Sequence, residues 1–365
     1  MSIVAVSART VRVPLERPVR TSNLVIDARE FVIAEVHDDS GAVGYGFGFT
    51  RDGLVAATIE HDLAPLLLGV DPLMNEHAWA TMYASTRYLG RRGLVMRAIS
   101  AVDIAIWDLK GTILGVPLWR LLGGHRRRVP AYVAGGYYGP STDPADVERE
   151  FRGYRDAGYL GAKINLGGAA RDLDLERVAA ARAGLGAEPS LAVDFNGVLT
   201  TAIAAMRWAS DLAAFDIAFL EEPFSMEDRR SIRGFARRST IPVAMGEDES
   251  GRWAFAELLG FDAVDVVRHD ATLVGGISEW TKVAGLALAH RLELFPHWFP
   301  EIHVHLAAAF PDCRGVEFIA PESGVMNLHQ LLRAPLAHVD GHAEPPDQPG
   351  LGIAWDWDAV EAATT

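Results

Sequence analysis

Six polar residues recur along the second half of the 365-residue chain, each closing a short apolar run: Asp194, Glu221, Glu247, Asp270, His297 and Glu317. The gaps between them are 27, 26, 23, 27 and 20 residues. One strand, one helix and two loops fill such a gap, so the pattern predicts successive βα units. In a parallel β/α barrel the C-terminal strand ends open onto one face, and the six groups would converge there.

Asp194, Glu221 and Glu247 would end the third, fourth and fifth strands of such a barrel. Three adjacent carboxylates repel one another unless a cation sits among them, and Mg2+, a hard divalent ion that takes oxygen ligands, meets that need. Strand-end acids also cap helices, but caps need not recur at one barrel level. Spacing alone leaves open which member of Glu221-Glu222 is the ligand, while Asn196, Glu222, Asp248 and Glu249 read as capping or supporting neighbours. Asp270 and His297 would lie side by side at the same mouth. A carboxylate on one imidazole nitrogen fixes the tautomer and leaves the other nitrogen to take a proton, which is general-base chemistry. Lys163 and Asn165, two residues apart, share one face of the second strand, where a lysine would neutralise developing negative charge. Burial of Glu317 near other acids would raise its pKa and let it act as a donor. His269, His303 and His305 fall outside this register and read as surface or supporting residues.

The elements that must place these groups follow from the same chain. Short apolar runs predict strands near 129–134, 160–164, 190–194, 217–221, 242–245, 263–267, 292–295 and 315–319, alternating with helices near 144–157, 172–183, 200–213, 226–237, 251–259, 275–290 and 301–309. Eight strands close a barrel. Before it, Ser2 to Val13 and Glu30 to Val36 alternate polar with β-branched residues around the turn Asp38-Asp-Ser-Gly41, and an apolar stripe from Leu94 to Ile113 predicts a helix buried along one broad face. We therefore divide the chain into an α+β unit over 1–125, a barrel over 126–325 and a Pro/Gly-rich segment over 326–365 that returns to the first unit, with Leu351 to Trp357 as a last strand.

Composition narrows the partners. A net charge of −14 argues against nucleic acid, whose phosphates demand a basic surface. No apolar run is long enough for a membrane helix, so no membrane partner is expected. Cys313 is the only cysteine, which rules out an intramolecular disulfide and favours a cytoplasmic protein.

Longer blocks carry a family resemblance. Ala98-Ile-Ser-Ala-Val-Asp-Ile-Ala-Ile-Trp-Asp-Leu-Lys-Gly111, Pro117-Leu-Trp-Arg-Leu-Leu-Gly-Gly124, Val193-Asp-Phe-Asn196, Leu220-Glu-Glu-Pro223, Met245-Gly-Glu247, Gly275-Gly-Ile277, Pro296-His297 and Val316-Glu317 together resemble the mandelate racemase branch of the enolase superfamily, over essentially the whole chain. The resemblance implies a modified (β/α)7β TIM barrel with an α+β capping domain built from both termini. It implies Mg2+ on Asp194, Glu221 and Glu247, an Asp270–His297 dyad, and removal of the proton α to a metal-bound carboxylate. Family habit adds a homo-oligomer, dimer to octamer.

One departure shapes the expected reaction. The racemases carry Lys-x-Lys on strand two, the second lysine being the base opposite histidine, and here the pair is Lys163-x-Asn165. An amide accepts no proton at neutral pH. The expectation is a one-base dehydratase acting on a sugar acid, with His297 as base, its protonated imidazole as acid, and a 2-keto-3-deoxy acid as product. A racemase or epimerase using Lys163 is the alternative, and a non-catalytic metabolite-binding barrel the second. Lactonising and cycloisomerising relatives use lysines on strands two and six, where Asn165 and Asp270 stand. Arg20, Thr21, Ser22 and Asn23, with Tyr137, Tyr138, Trp298 and Asn196, are candidates for substrate contact, followed by Trp253 and Arg268.

Overall fold

Period-two alternation in the first fifty residues builds a three-stranded antiparallel sheet, β1 (Ile3–Arg20), β2 (Val25–Asp38) and β3 (Val43–Phe49), in that order. The computed structural model describes residues 1–139 and 143–365. The Asp38 carboxylate closes the β2–β3 turn by accepting from the Ser40 and Ala42 N–H groups. β1 and β2 run further than their alternation suggested, and the far end of this ribbon reaches the barrel. The predicted loop over residues 20–23 is thereby reduced to a tight turn, with Arg20 still paired to Val25 and the Thr21 N–H donating to Leu24 O.

The apolar stripe forms the helix Leu94–Leu114, which lies across the sheet and buries Ile99, Val102, Ile106 and Leu109 against Val32, Ala34 and Val36. The approach is close enough that a Cβ on Gly46 would lie 1.9 Å from Ala101 O, so no side chain fits there.

The barrel strands are β4 (Val129–Gly135), β5 (Gly161–Asn165), β6 (Ser190–Asp194), β7 (Ile217–Glu221), β8 (Val243–Met245), β9 (Val266–Val267), β10 (Glu293–Leu294) and β11 (Val316–Ile319). Each from β4 to β10 pairs in parallel with the next, β11 pairs back onto β4, and the Leu294–Cys313 bridge closes the ring between β10 and β11. One helix or more fills each of the seven strand-to-strand connections, and after β11 the chain makes two short 3-10 turns, Pro321–Ser323 and Leu328–Leu331, in place of an eighth barrel helix. The fold is thus a (β/α)7β barrel under an α+β cap. The helix expected over 275–290 is Gly276–Ala289, and an unexpected short helix, Ala271–Val274, precedes it, the two separated by Gly275 and Gly276 at φ of 122° and 83°. Inside the barrel an apolar floor of Ala192, Phe219, Ala244 and Val266 supports the polar layer above it.

The last segment does two things. It first adds a hairpin, β12 (His338–Val339) and β13 (His342–Ala343), antiparallel to β4. It then crosses to the cap, where the Leu351 N–H donates to Asp108, the helix Trp357–Ala363 packs beside β1, and Thr364 bridges Val11. Residues 351–357 are not the strand expected from their composition. Positive φ at Gly350 and Gly352 interrupts extended pairing there, leaving a single bridge between Trp355 and Leu332.

Candidate active site

Strand ends bring the predicted groups together. Asp194, Glu221 and Glu247 each present a carboxylate oxygen, and the three oxygens lie within 4.8 Å of one another. Asn196, at φ 47°, folds back so that its N–H and Nδ2 donate to the two oxygens of Asp194, at 2.8 and 2.9 Å. Its place is therefore behind a site carboxylate. Glu222 points away from the mouth and accepts from the Gly246 and Glu247 N–H groups, which leaves Glu221 as the member of the pair that joins the cluster.

Beneath this triad lies a buried charge network. Lys163 Nζ donates to Glu221 Oε1 at 2.7 Å, pairs with Glu317 Oε1 at 2.8 Å and approaches Asp194 Oδ2 at 3.4 Å. Arg268 Nη2 bridges Glu221 (2.9 Å) and Glu317 (2.6 Å), while its Nη1 donates to Tyr132 Oη and to the carbonyls of Phe295 and Pro296. Burial alone would discharge Lys163 and Arg268, but the surrounding carboxylates hold both pKa values well above their usual range. Burial likewise disfavours the ionised Glu317, yet Arg268 and Lys163 pull its pKa far below normal. The expected protonated Glu317 is corrected accordingly: it is an ion-paired carboxylate that also accepts from the Trp298 N–H at 3.0 Å.

The donor set fits a divalent cation. Asp194, Glu221, Glu247 and Glu317 outnumber Lys163 and Arg268 by two negative charges. Burial and the neighbouring carboxylates push Asp194 up to about 6 and Glu247 well above its range. The buried Glu221 Oε2 and Glu247 Oε2 have no hydrogen-bond partner. A small dication among these oxygens is what lets all three ionise together.

The dyad stands at the rim of this cluster. His297 Nδ1 is 3.1 Å from Asp270 Oδ2, and its Nε2 faces Glu247 Oε2 at 3.5 Å. Burial works against the Asp270 charge, but the His297 hydrogen bond, His303 and the Thr272 N–H hold its pKa below the usual range. His303 is fully buried, not on the surface: its Nε2 accepts from the Ala271 N–H and its Nδ1 donates to Trp298 O. It thereby ties the strand-six loop to the strand-seven loop, next to the dyad. His269 and His305 are also fully buried and held neutral by burial, at about 3 and about 4. Register missed them because their partners are backbone carbonyls, Trp280 O and Leu351 O.

The candidates for substrate contact divide. Trp298 belongs to the site, stacked on His297 at 5.0 Å. Asn165 is also there, with Nδ2 on Gly135 O and a buried Oδ1 that has no partner. Tyr138 does not: it is 1% exposed, its hydroxyl donates to Asp174, and it packs between Arg20 and Arg177. Arg20 fastens the ribbon to the barrel through Gly168 O, and Ser22 and Asn23 donate to Phe195 O and Asn196 O. Trp253, 55% exposed, stacks on Tyr83 away from the dyad. Arg268, ranked last from sequence, is instead the central cation of the network. Strand parity could have found it, since it lies two residues from inward-facing Val266 and two from Asp270.

The cap is locked onto this mouth. Ser100 Oγ accepts from the Gly275 and Gly276 N–H groups, Asp103 from the Ser278 N–H, and Trp79 and Trp107 donate to Gly275 O and Ser278 Oγ. A Cβ on Gly276 would lie 2.3 Å from the Asp103 carboxylate, which explains the glycine.

The capped barrel carries a carboxylate triad beside a His–Asp pair, and its sequence matches known families along most of its length. Residues 3–123 match the mandelate racemase / muconate lactonizing enzyme N-terminal domain, and residues 146–359 the enolase C-terminal domain-like family. The chain belongs to the mandelate racemase branch of the enolase superfamily. It is 33% identical to arabinonate dehydratase of Saccharolobus solfataricus, over 88% of this chain and 87% of that one. It is 33% identical to D-galactarolactone cycloisomerase of Agrobacterium fabrum, over 99% and 98%. A racemase from Streptomyces coelicolor A3(2), solved with bound magnesium, superposes with a TM-score of 0.93 over all of both chains at 31% identity.

Proposed function

We propose that this protein is a Mg2+-dependent dehydratase of sugar acids, with residues 126–325 supplying the chemistry and residues 1–125 and 326–365 covering it. The observation that carries the reading is the placement of His297: Nδ1 is held by Asp270 and Nε2 is 3.5 Å from the triad member Glu247. A substrate carboxylate bound at a cation on this triad would have its α-carbon within reach of that nitrogen. Magnesium held by Asp194, Glu221 and Glu247 supplies a Lewis acid for the substrate carboxylate. His297 removes the α-proton, Asp270 stabilises the imidazolium that results, and the Lys163 ammonium offsets the negative charge that grows on the carboxylate. The imidazolium returns its proton to the departing β-hydroxyl. Asn165 leaves the opposite face without a base, and Lys163, clamped between carboxylates, keeps its protons. Both features favour one-base elimination over racemisation.

A second reading is a cycloisomerase, favoured by the equal identity to the Agrobacterium fabrum protein. It shares the proton abstraction and keeps the leaving group in the molecule. Proton NMR in D2O with Mg2+ and a panel of sugar acids and their lactones separates the two. Loss of water to a 2-keto-3-deoxy acid, stopped by chelator, supports the dehydratase. Product of unchanged composition from a lactone supports the cycloisomerase, and α-deuteration without elimination would overturn both in favour of an epimerase.

A further inference from the structure

We propose that Asn165 determines specificity for a 2-hydroxy acid, its Oδ1 accepting a hydrogen bond from the α-hydroxyl on the side of the α-carbon turned away from His297. The assignment rests on the proposed sugar-acid chemistry and adds which substrate group this residue selects.

The observation behind it is a buried acceptor with nothing to accept from. Asn165 is 1% exposed, and its Oδ1 has no hydrogen-bond partner. The other end of the amide fixes which atom is the oxygen: Nδ2 donates to Gly135 O at 3.3 Å, and a flip would set two oxygens face to face. The donors around it are committed elsewhere. Lys163 Nζ serves Glu221, Glu317 and Asp194, and Asn196 Nδ2 serves Asp194. Arg177 gives Nη1 to Asn165 O and Nη2 to Gly136 O. Those two bonds clamp the ends of β4 and β5, the strands that the Asn165 amide itself spans, so its oxygen is held in place. A leucine would fill a similar volume with no unmet acceptor. A buried amide oxygen left unpaired is costly unless a ligand completes it.

Position narrows the ligand group. Period-two alternation sets Asn165 on the same face of β5 as Lys163, one step nearer the mouth, and strand register pairs it with the triad member Asp194. Asp270 and His297 follow β9 and β10, on the other side of the ring. A carboxylate at the triad and a proton at His297 leave two groups on the α-carbon, a hydroxyl and the carbon chain. An amide oxygen accepts from the first and gains nothing from the second. An anion would be repelled. An ammonium has no net charge to hold it, because Lys163, Arg268 and a dication balance the four carboxylates Asp194, Glu221, Glu247 and Glu317.

Calorimetric titration with Mg2+ tests the contact, on the full chain carrying His297→Asn to stop turnover. The probes are pairs that differ in the α-hydroxyl: D-galactonate and D-gluconate, each with its 2-deoxy counterpart, and lactate with propionate. The hydroxy acid is expected to bind about 10- to 100-fold more tightly than its counterpart, the size of one buried acceptor satisfied against one left unmet. Adding Asn165→Leu should bring that ratio toward unity, and the cycle separates the contact from the change of acid. Asn165→Ala repeats the cycle should the leucine variant fold poorly. The ratio of D-galactonate to D-fuconate, which lacks only the terminal hydroxyl, should not move; if both ratios shift alike, the role is structural and the assignment falls. A hydroxyl preference unchanged by Asn165→Leu, or alanine bound more tightly than lactate, would overturn it while the sugar-acid reading stands. If no sugar acid binds, that reading fails and the smallest pair decides: lactate no tighter than propionate overturns the proposal.

Discussion

Replacing Arg268 by methionine probes the network on which the site is built. The side chain keeps its bulk, but two fully buried carboxylates lose the guanidinium that bridges them at 2.9 and 2.6 Å. Glu221 and Glu317 would then share the single charge of Lys163, and the carbonyls of Phe295 and Pro296 would lose their donor. Removing one partner of a buried ion pair costs about 3–5 kcal/mol, which is a large part of an ordinary folding stability of roughly 5–15 kcal/mol. The expected fall in Tm for a chain of this length is about 4–7 °C. Because Pro296 precedes His297, the proposed base also loses a support, and kcat should drop about 100-fold or more through misplacement. Arg268→Lys should recover little, since an ammonium cannot reach two carboxylates and two carbonyls at once. Differential scanning calorimetry with and without Mg2+, beside NMR turnover, makes the measurement. A variant within about 1 kcal/mol of wild type and with normal turnover would refute the network as described.

Three further outcomes are expected. His297→Asn should abolish α-proton exchange in D2O by roughly 10^3-fold or more while ligand-induced rises in Tm persist; retained exchange would remove His297 as the base. EDTA should lower Tm by several degrees, and Mg2+ added back should restore it through mass action, whereas Glu247→Gln should blunt that response; a Mg2+ effect untouched in this variant would place the cation elsewhere. Burial holds the Asp103 pKa up at about 7, against about 3.9 in the unfolded chain. Above pH 4 the unfolded state sheds this proton while the folded state keeps it, so stability falls as pH rises to 7, by at most about 4 kcal/mol. Asp103→Asn should lack this component, and parallel pH profiles of the two proteins in urea unfolding would contradict it.

Much of the barrel was legible because its strands are short apolar runs set at one period, and each polar group of the site ends such a run. Asp194, Glu221 and Glu247 could be grouped without any structure for that reason. Glu317 was placed correctly but given the wrong charge state, because its pKa depends on Arg268 and Lys163, contacts across the barrel that no local pattern carries. Tyr138 shows the reverse error: position after a strand suggested the mouth, while its phenol turns outward to Asp174. Arg268 was ranked last from sequence, since the carboxylates it bridges, Glu221 and Glu317, stand on other strands and only the closed barrel brings them to it. Within the final segment, whose return to the cap was expected, residues 351–357 were misread as a strand, since pairings such as Leu351 with Asp108 join residues far apart in sequence and have no periodic signature.

The route of that last segment has a consequence for biosynthesis. Asp108 of the cap helix closes onto Leu351, and β1 onto Thr364, so contacts that complete the cap unite residues made before the barrel with residues made after it. The barrel strands between them are local and can pair as they emerge. Cap strands and the helix Leu94–Leu114 must meanwhile wait with part of their apolar surface exposed, through more than two hundred residues of further synthesis. Such an interval exposes a nascent chain to chaperones and to self-association, and it places completion of the cap after synthesis of the whole barrel.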